Sequence, residues 1–231
     1  PAYQEEANIV QVVNAIFGAR KLLGDASLEV CVVNDGSKDR TGAAAETTDA
    51  VVIHLPYNIG IGGAVQTGFR YAFENKYDIA IQIDGDGQHD PQFIPALIRP
   101  IVEDHFDLVI GSRFLDSGEK GFRSTFARRV GIKIFYGVNS FVIGQKITDN
   151  TSGFRAFSQR AIALLAEEYP SDYPEPETVI FLGLRKFRIT EVPVVMRERQ
   201  GGQSSISSLT SIYYMVKVLL SIFVSLFKKN V

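Results

Sequence analysis

The sequence is poor in cysteine and has no strong excess of either charge. Its single cysteine, Cys31, cannot form an internal disulfide and lies in an apolar run, so we predict a cytoplasmic chain in which Cys31 fills the core. The 24 basic and 26 acidic residues give a formal charge of −2, and no run of Lys or Arg is longer than two. This balance gives no electrostatic reason to expect nucleic-acid binding, and any anion-binding site must be local.

Short apolar segments alternate with longer amphipathic ones along the chain. The apolar segments, which predict strands, are 28–34, 51–55, 79–83, 108–112, 153–158 and 189–195. The amphipathic segments, which predict helices, are 6–23, 40–48, 61–75, 91–103, 124–143 and 175–187. Asp90 and Pro91 are suited to the N-cap and the first position of the fourth helix. This order predicts an α/β fold with a mainly parallel central sheet flanked by helices.

Three carboxylates follow the third predicted strand, in the segment 84–90. Ligands of open α/β sheets bind at the carboxyl ends of the strands. Asp84 and Asp86 lie on the same face of an extended chain, and with the amide oxygen of Gln88 they offer hard ligands suited to Mg²⁺ or Mn²⁺. The alternative is an acidic turn that caps the next helix, but a cap needs only one carboxylate. We therefore predict a metal site at Asp84, Asp86 and Gln88 that holds a diphosphate.

Two other loops also carry residues suited to a nucleotide. Asp35 follows the first predicted strand, where it could accept hydrogen bonds from a base or ribose, or form an Asx-turn. The segment 58–64 is rich in glycine, but it does not fit the dinucleotide pattern G-x-G-x-x-G/A, because the sixth position would be Val65. A helix start that lets a nucleotide lie close to the backbone at Gly63 is the better interpretation, with an ordinary turn as the alternative.

Seven segments form an ordered series of motifs: PAYQEE at 1–6, VNDGSKDRT at 33–41, NIGIGGA at 58–64, DGDGQH at 84–89, GSR at 111–113, TDNTSGFR at 148–155 and RERQGGQS at 197–204. In this order they resemble the motifs of the inverting family 2 glycosyltransferases, and most of all those that act on polyprenyl phosphates. The resemblance covers nearly the whole chain. It departs from the usual pattern at Gln4, where asparagine normally follows the tyrosine.

The resemblance implies an A-type glycosyltransferase fold and a role for several residues. The base and ribose of a nucleotide sugar would be held by Pro1, Ala2, Tyr3, Glu5 and Asp35, with Gly63 beside the nucleotide. Asp84 would contact the nucleoside, and Asp86 and Gln88 would ligate the metal. The implied reaction is an inverting displacement at the anomeric carbon, in which the metal neutralises charge on the leaving nucleoside diphosphate.

Two versions of this reaction differ in their acceptor. A saccharide hydroxyl needs a general base, whereas a phosphate monoester, with a second pKa of about 6, is already ionised and needs cationic positioning. Arginine suits phosphate, and the second half of the chain offers Arg113, Arg128, Arg129, Arg155, Arg197 and Arg199. The resemblance selects Arg113 and Arg128 for the acceptor phosphate. Asp149 stands where hydroxyl-acceptor relatives carry a base, and it could instead hold the turn that follows it.

The segment 209–227 is the only long apolar stretch, and it has a polar stripe at helical spacing opposite a broad apolar face. A helix of this length rises about 28 Å, just short of a typical hydrocarbon core. We therefore predict a helix that lies in the membrane interface or packs on a small membrane protein, with a core helix as the alternative. The predicted domains are a catalytic domain at 1–205 and this C-terminal helix at 206–231.

These features predict a metal-dependent glycosyltransferase that is cytoplasmic and peripherally associated with the cytoplasmic membrane. Its donor would be a nucleotide sugar, with UDP favoured over GDP from the bacterial members of the family, and its acceptor a polyprenyl phosphate. Transfer to a saccharide hydroxyl in polysaccharide synthesis is the enzymatic alternative. A membrane-tethered nucleotide-sugar-binding protein is the non-enzymatic one, which the intact Asp84, Asp86 and Gln88 disfavour. A homo-oligomer is compatible with every one of these interpretations.

Overall fold

A computed structural model of the chain describes residues 1–115, 144–170 and 174–197. The helices are α1 (Ile9–Ala19), α2 (Thr41–Ala45), α3 (Gly60–Glu74), α4 (Ile94–Asp104), α5 (Gln159–Glu167) and α6 (Pro174–Leu184). The strands are β1 (Cys31–Asn34), β2 (Val51–His54), β3 (Ile79–Gln82), β4 (Leu108–Ser112), β5 (Arg155–Ser158) and β6 (Ile189–Pro193). The predicted helices at 124–143 and 206–231, and the boundary after residue 205, lie outside the described residues.

The strands form two hydrogen-bonded groups. Strands β1 and β2 pair in parallel, with Cys31 opposite Val51. The larger group has the order β3-β5-β4-β6, in which β4 and β6 are parallel and β5 is antiparallel to both of its neighbours. Parallel pairing is therefore confirmed for β1 with β2 and for β4 with β6. The antiparallel insertion of β5 between β3 and β4 is a feature that the alternation of strands and helices did not predict.

Both faces of the larger group are covered by helices. In β4, Val109 packs in a cluster with residues of α1 and α4, whereas Leu108 and Ile110 pack in a second cluster with residues of α3, α5 and α6. In β5, Ala156 and Phe157 divide between the two clusters in the same way. Successive side chains of a strand point to opposite faces, so two buried faces require apolar residues at every position. Among the described residues, helices thus cover both faces of β4 and β5.

Local capping signals explain where two helices begin. Asp90 accepts a hydrogen bond from the N–H of Gln92 at 3.1 Å, so it caps the 3-10 turn Pro91–Phe93 that leads into α4, whereas the predicted helix began directly at Pro91. Ser158 caps α5 in the same manner, by accepting the N–H of Ala161 at 3.3 Å. Helix α5 was not predicted, although a serine followed by apolar residues at helical spacing is a usual helix start.

The first residues of the chain extend the smaller group of strands. The N–H of Ala2 donates to the carbonyl of Val33, and the N–H of Asp35 donates to the carbonyl of Ala2, both at 2.9 Å. Gln4 then turns the chain with a left-handed backbone, at a φ of 55°. Asparagine, the usual residue here in the family that the sequence resembles, tolerates this conformation better than glutamine does.

We expect Gln4→Asn to raise the free energy of unfolding by about 0.5 to 1 kcal/mol, because left-handed backbone is costly for most L-residues. Urea unfolding of the purified protein measures the change. Gln4→Ala is the control, since alanine keeps the unfavourable conformation while removing the side chain. Equal stability of the Asn and Ala variants would show that backbone strain at this position does not limit stability.

Candidate active site

The loops that carry the predicted site residues meet at one edge of the strands. Three of them follow the carboxyl ends of β1, β3 and β4. Because β5 is antiparallel, the residues that precede it, 148–154, lie at the same edge. Arg155 stands in register with Gln82 of β3 and with Ile110 of β4. The 148–154 loop is therefore placed between the loop that contains Asp84 and the loop that contains Arg113.

Asp84 packs directly on the backbone of Gly153. A Cβ atom added to Gly153 would lie only 2.5 Å from Oδ2 of Asp84, so a larger residue would force the carboxylate to move. The other oxygen, Oδ1, is buried and accepts no hydrogen bond from the described residues. A buried carboxylate oxygen without a partner is costly unless a cation or a donor faces it. This arrangement fits the predicted metal role of Asp84.

Asp86 and Gln88 shape the turn that follows Asp84. The N–H of Gln88 donates to Oδ1 of Asp86 at 3.0 Å, and the carbonyl of Gln88 accepts the N–H of Arg197 at 2.8 Å. Asp86 also lines a shallow cleft between this turn and α1. Among the described residues, no three His, Cys, Asp or Glu side chains gather as a metal site. Two carboxylates and one amide oxygen still suit Mg²⁺ or Mn²⁺, which commonly takes its other ligands from water and phosphate.

His89 supports the same turn from the protein interior. Its ring stacks on Phe154 with a centroid distance of 5.0 Å, and its Nδ1 accepts the N–H of Asp84 at 3.1 Å. Burial lowers the pKa of His89 below its usual value, so the neutral ring carries its proton on Nε2, 3.8 Å from Oδ2 of Asp84. A neutral ring adds no positive charge to this turn. The ring therefore supports the turn by stacking and hydrogen bonding and not by charge.

The start of the chain packs against the turn after β3. A Cβ atom on Gly85 would lie 3.4 Å from the carbonyl oxygen of Pro1 and from Cβ of Ala2, and 3.6 Å from Cγ of Glu5. Tyr3 follows with 42% of its surface exposed. The structure thus brings three predicted nucleotide-binding residues, Pro1, Ala2 and Glu5, close to the predicted metal turn. Their contacts with a nucleotide remain predictions.

Asp35 orients the glycine-rich start of α3. Its side chain is almost completely buried, and its two oxygens accept the N–H groups of Ile59 at 2.8 Å and Gly60 at 3.0 Å. Negative charge at the start of a helix is favourable, because the first N–H groups have no partner within the helix. Gly63 lies in the first turn of α3, where an added Cβ would come within 2.5 Å of the Ile59 side chain. The structural role of Asp35 was not predicted, and its nucleoside contact remains a prediction.

Arg113 and Asp149 form a bidentate ion pair. The Nε and Nη2 groups of Arg113 donate to the two carboxylate oxygens at 2.7 Å each, and the backbone N–H of Arg113 adds a third bond at 3.1 Å. The side chain of Asp149 is 0% exposed and that of Arg113 is 16% exposed. Nη1 of Arg113 makes no hydrogen bond within the part of the chain that the structure describes. Both oxygens of Asp149 are thus occupied, which favours the structural alternative over the base, whereas the arginine keeps a donor for a ligand.

The other arginines of the second half differ in their surroundings. Arg155 is fully buried, and it donates to three backbone carbonyls at 2.6 to 2.7 Å, those of Asn150, Ser152 and Glu175. This arginine holds the fold and is not exposed to an acceptor. Arg197 pairs with Asp90 at 2.9 Å. Arg128, Arg129 and Arg199 lie outside the described residues.

Glu175, in the first turn of α6, is a further carboxyl group near Asp84. Burial raises the pKa of Glu175, and the charge of Asp84 raises it further, while Arg155 opposes the shift. The residues Glu175, His89 and Gly153 were not predicted as site residues. The two latter residues belong to segments that resemble the family motifs, so the signal for them was present in the sequence.

The α/β core thus carries the predicted metal turn, Asp84, Asp86 and Gln88, at the carboxyl end of β3. The family model described as glycosyl transferase family 2 matches residues 1–165, more than half of the chain. The chain belongs to this glycosyltransferase family.

Two similar proteins of known name carry the resemblance further. The UDP-N-acetylglucosamine–dolichyl-phosphate N-acetylglucosaminyltransferase of Methanococcus voltae is 32% identical over 214 residues, which cover 84% of this chain and 82% of that protein. The undecaprenyl-phosphate mannosyltransferase of Micrococcus luteus is 34% identical over 188 residues, which cover 78% of this chain and 76% of that protein. The predicted likeness to polyprenyl-phosphate glycosyltransferases is confirmed.

Solved structures support the fold. Glucosyl-3-phosphoglycerate synthase of Mycobacterium tuberculosis, crystallised with Mn²⁺, UDP-glucose and phosphoglyceric acid, superposes with a TM-score of 0.69 at 22% identity. The match covers 96% of this chain and 77% of that one. A likeness at this identity shows the fold alone, and it confirms the expected A-type glycosyltransferase fold.

Gly153→Ala is expected to weaken Mn²⁺ binding by roughly tenfold or more, because the added methyl group displaces the carboxylate of Asp84. Electron paramagnetic resonance of free Mn²⁺ in a titration measures the affinity without any need for turnover. Gly18→Ala, in α1, is the matched control, since a Cβ there meets nothing within 4 Å. A folded Gly153→Ala protein with unchanged Mn²⁺ affinity would remove Asp84 from the metal site.

Proposed function

We propose that this protein transfers a sugar from a UDP-sugar to a polyprenyl phosphate, with inversion at the anomeric carbon. The observation that carries this choice of acceptor is the bidentate pair of Asp149 and Arg113. A saccharide hydroxyl must lose its proton to a base, but both oxygens of Asp149 are already bound by arginine. A phosphate monoester arrives ionised and needs a cation to orient it, which is what Arg113 offers.

The names of similar proteins support both substrates. Those from M. voltae and M. luteus are named for dolichyl phosphate and undecaprenyl phosphate, and the former is also named for a UDP-sugar donor. The polyprenol monophosphomannose synthase of Mycolicibacterium smegmatis is 29% identical over 231 residues, covering 94% of this chain and 83% of that protein. We infer the acceptor class from these names together with the Arg113 pair, and the donor nucleotide from the names alone.

The proposed reaction assigns one task to each side of the site. Asp84, Asp86 and Gln88 would hold Mg²⁺ or Mn²⁺, which when bound supplies charge neutralisation for the departing UDP. Pro1, Ala2, Tyr3, Glu5 and Asp35 would hold the nucleoside, with Gly63 beside it. Arg113 and Arg128 would aim an oxygen of the acceptor phosphate at the anomeric carbon. The new carbon–oxygen bond forms to that phosphate as the bond to the β-phosphate oxygen of UDP breaks.

The acceptor is a membrane lipid, so we also propose that the protein works at the cytoplasmic face of the membrane. The predicted helix at 206–231 would attach the catalytic domain, 1–205, to the membrane interface or to a small membrane protein. In the described ranges, no helix is both long and apolar enough to cross a membrane.

Asp86→Ala is expected to reduce transfer of labelled sugar to undecaprenyl phosphate by about a hundredfold or more, because it removes a ligand of the cation that stabilises the leaving group. The assay separates lipid-linked product by extraction. Asp78→Ala is the matched control, an exposed carboxylate just before the opposite end of β3, and it should leave transfer unchanged. Full activity of Asp86→Ala, or of the wild type in excess chelator, would refute the metal role.

Arg113→Ala is expected to raise KM for undecaprenyl phosphate roughly ten- to a hundredfold, the effect of losing a charge-assisted bond of about 1.5 to 3 kcal/mol. KM for the nucleotide sugar should change little. Arg113→Lys keeps a positive charge beside the buried Asp149, and it replaces Arg113→Ala in the assay if that variant does not fold. Arg160→Ala, which loses an ion pair at the opposite end of the sheet, is the control. Equal weakening of both substrates would move Arg113 to the donor side.

A further inference from the structure

Glu191 is a half-buried carboxylate on β6 to which the proposed reaction gives no task. It lies opposite Ile110 of the neighbouring parallel strand β4. Its Oε1 accepts the N–H of Asp149 at 2.7 Å, and its Oε2 accepts both the N–H and the hydroxyl of Thr148, at 2.8 and 2.9 Å. Three donors from two consecutive residues meet one carboxylate. The backbone at 148–149 is therefore fixed to β6.

A second set of bonds joins the same loop to β4. The hydroxyl groups of Thr148 and Ser112 are 2.9 Å apart and share a hydrogen bond. Ser112 is the last residue of β4, and Arg113 follows it directly. Asp149 in turn accepts three hydrogen bonds from Arg113. A continuous chain of bonds thus runs from Glu191 through residues 148–149 to the guanidinium of Arg113.

The carboxylate form of Glu191 suits this place better than an amide would. Burial raises the pKa of Glu191, while the N–H groups of Thr148 and Asp149 oppose that shift by bonding to the ionised form. Glutamine has the same shape but only one acceptor oxygen. Its NH2 group would face either the N–H of Asp149 or the donors of Thr148. Glu191→Gln therefore disturbs the position of the loop without opening a cavity.

We propose that Glu191 is a positioning residue for the acceptor, because it fixes Asp149 and thereby the guanidinium of Arg113 at the place where the phosphate binds. The inference depends on the proposed function for the identity of that phosphate, a polyprenyl phosphate. A guanidinium that is oriented before the acceptor arrives loses less conformational freedom on binding. Glu191 itself acts only through Asp149 and does not touch the acceptor.

Asp107 provides a matched control for a purely structural role. It is also a buried carboxylate, 6% exposed, and it lies just before β4 at the end of the strand opposite Arg113. It accepts the N–H of Arg188 at 2.9 Å, the hydroxyl of Ser158 at 3.1 Å and a bond from Arg160 at 3.0 Å. Asp107→Asn therefore shows how the loss of a comparable buried acceptor away from the site changes stability and KM.

The kinetic test compares Glu191→Gln with Asp107→Asn at a temperature where both are folded. Glu191→Gln is expected to raise KM for undecaprenyl phosphate roughly tenfold and to leave KM for the nucleotide sugar within about twofold. Asp107→Asn should lower the unfolding temperature without changing either KM. In an Arg113→Ala background, Glu191→Gln should add no further increase, because both changes remove the same contact. Thr148→Val, which loses only the hydroxyl bonds, replaces Glu191→Gln if that variant does not fold.

A second readout does not depend on turnover. The NMR signal of the Arg113 Nε–H group, assigned with Arg113→Lys, should shift or broaden in Glu191→Gln and stay in place in Asp107→Asn. An unchanged Arg113 signal in Glu191→Gln would overturn the positioning role of Glu191. The same conclusion follows if Arg113→Ala raises KM for the acceptor and Glu191→Gln does not. Neither result would affect the proposed function. If Arg113→Ala leaves the acceptor KM unchanged, the proposed role of Arg113 fails, and the NMR signal still decides whether Glu191 positions it.

Discussion

The buried guanidinium of Arg155 constrains the geometry of the whole site. A charge that is fully removed from water must have its hydrogen bonds satisfied within the protein. Arg155 achieves this with carbonyls of the loop that precedes β5 and of the first turn of α6. The backbone of that loop is thereby fixed, with Gly153 against Asp84 on one side and Asp149 against Arg113 on the other. The proposed donor side and the proposed acceptor side are therefore held by the same short segment.

The sequence predicted most elements of the fold because their signals are local. The first four strands are short apolar runs and the helices between them are amphipathic, so periodicity was sufficient to find them. The direction of β5 is different, because it depends on pairing with Gln82 and Ile110, which are distant in the chain. The residues of the segment 153–158 do not predict which strands it pairs with. Helix α5 was missed because its start coincides with the end of β5.

The same difference between local signals and contacts of distant residues applies to the predicted site. Asp84, Asp86 and Gln88 are neighbours in the sequence, and a strand before them is enough to place them at the edge of the sheet. The pairing of Asp149 with Arg113 involves two loops, and sequence alone left a base and a structural role for Asp149 equally open. The part played by Asp35 depends on the N–H groups of Ile59 and Gly60, which reach it only in the folded chain. Sequence patterns could not identify the roles that depend on contacts between residues of different loops.

The position of β5 also makes the order of synthesis differ from the order of the sheet. Strands β3 and β4 leave the ribosome early, but the strand that joins them begins only at residue 155. Until then neither has a partner strand in this group, and β4 is composed of residues that are buried in the folded protein. Exposed apolar edges are sites of intermolecular pairing. Nascent chains that end before β5 are therefore prone to aggregate, and the core around β3 and β4 can be completed only after β5 and β6 have been made.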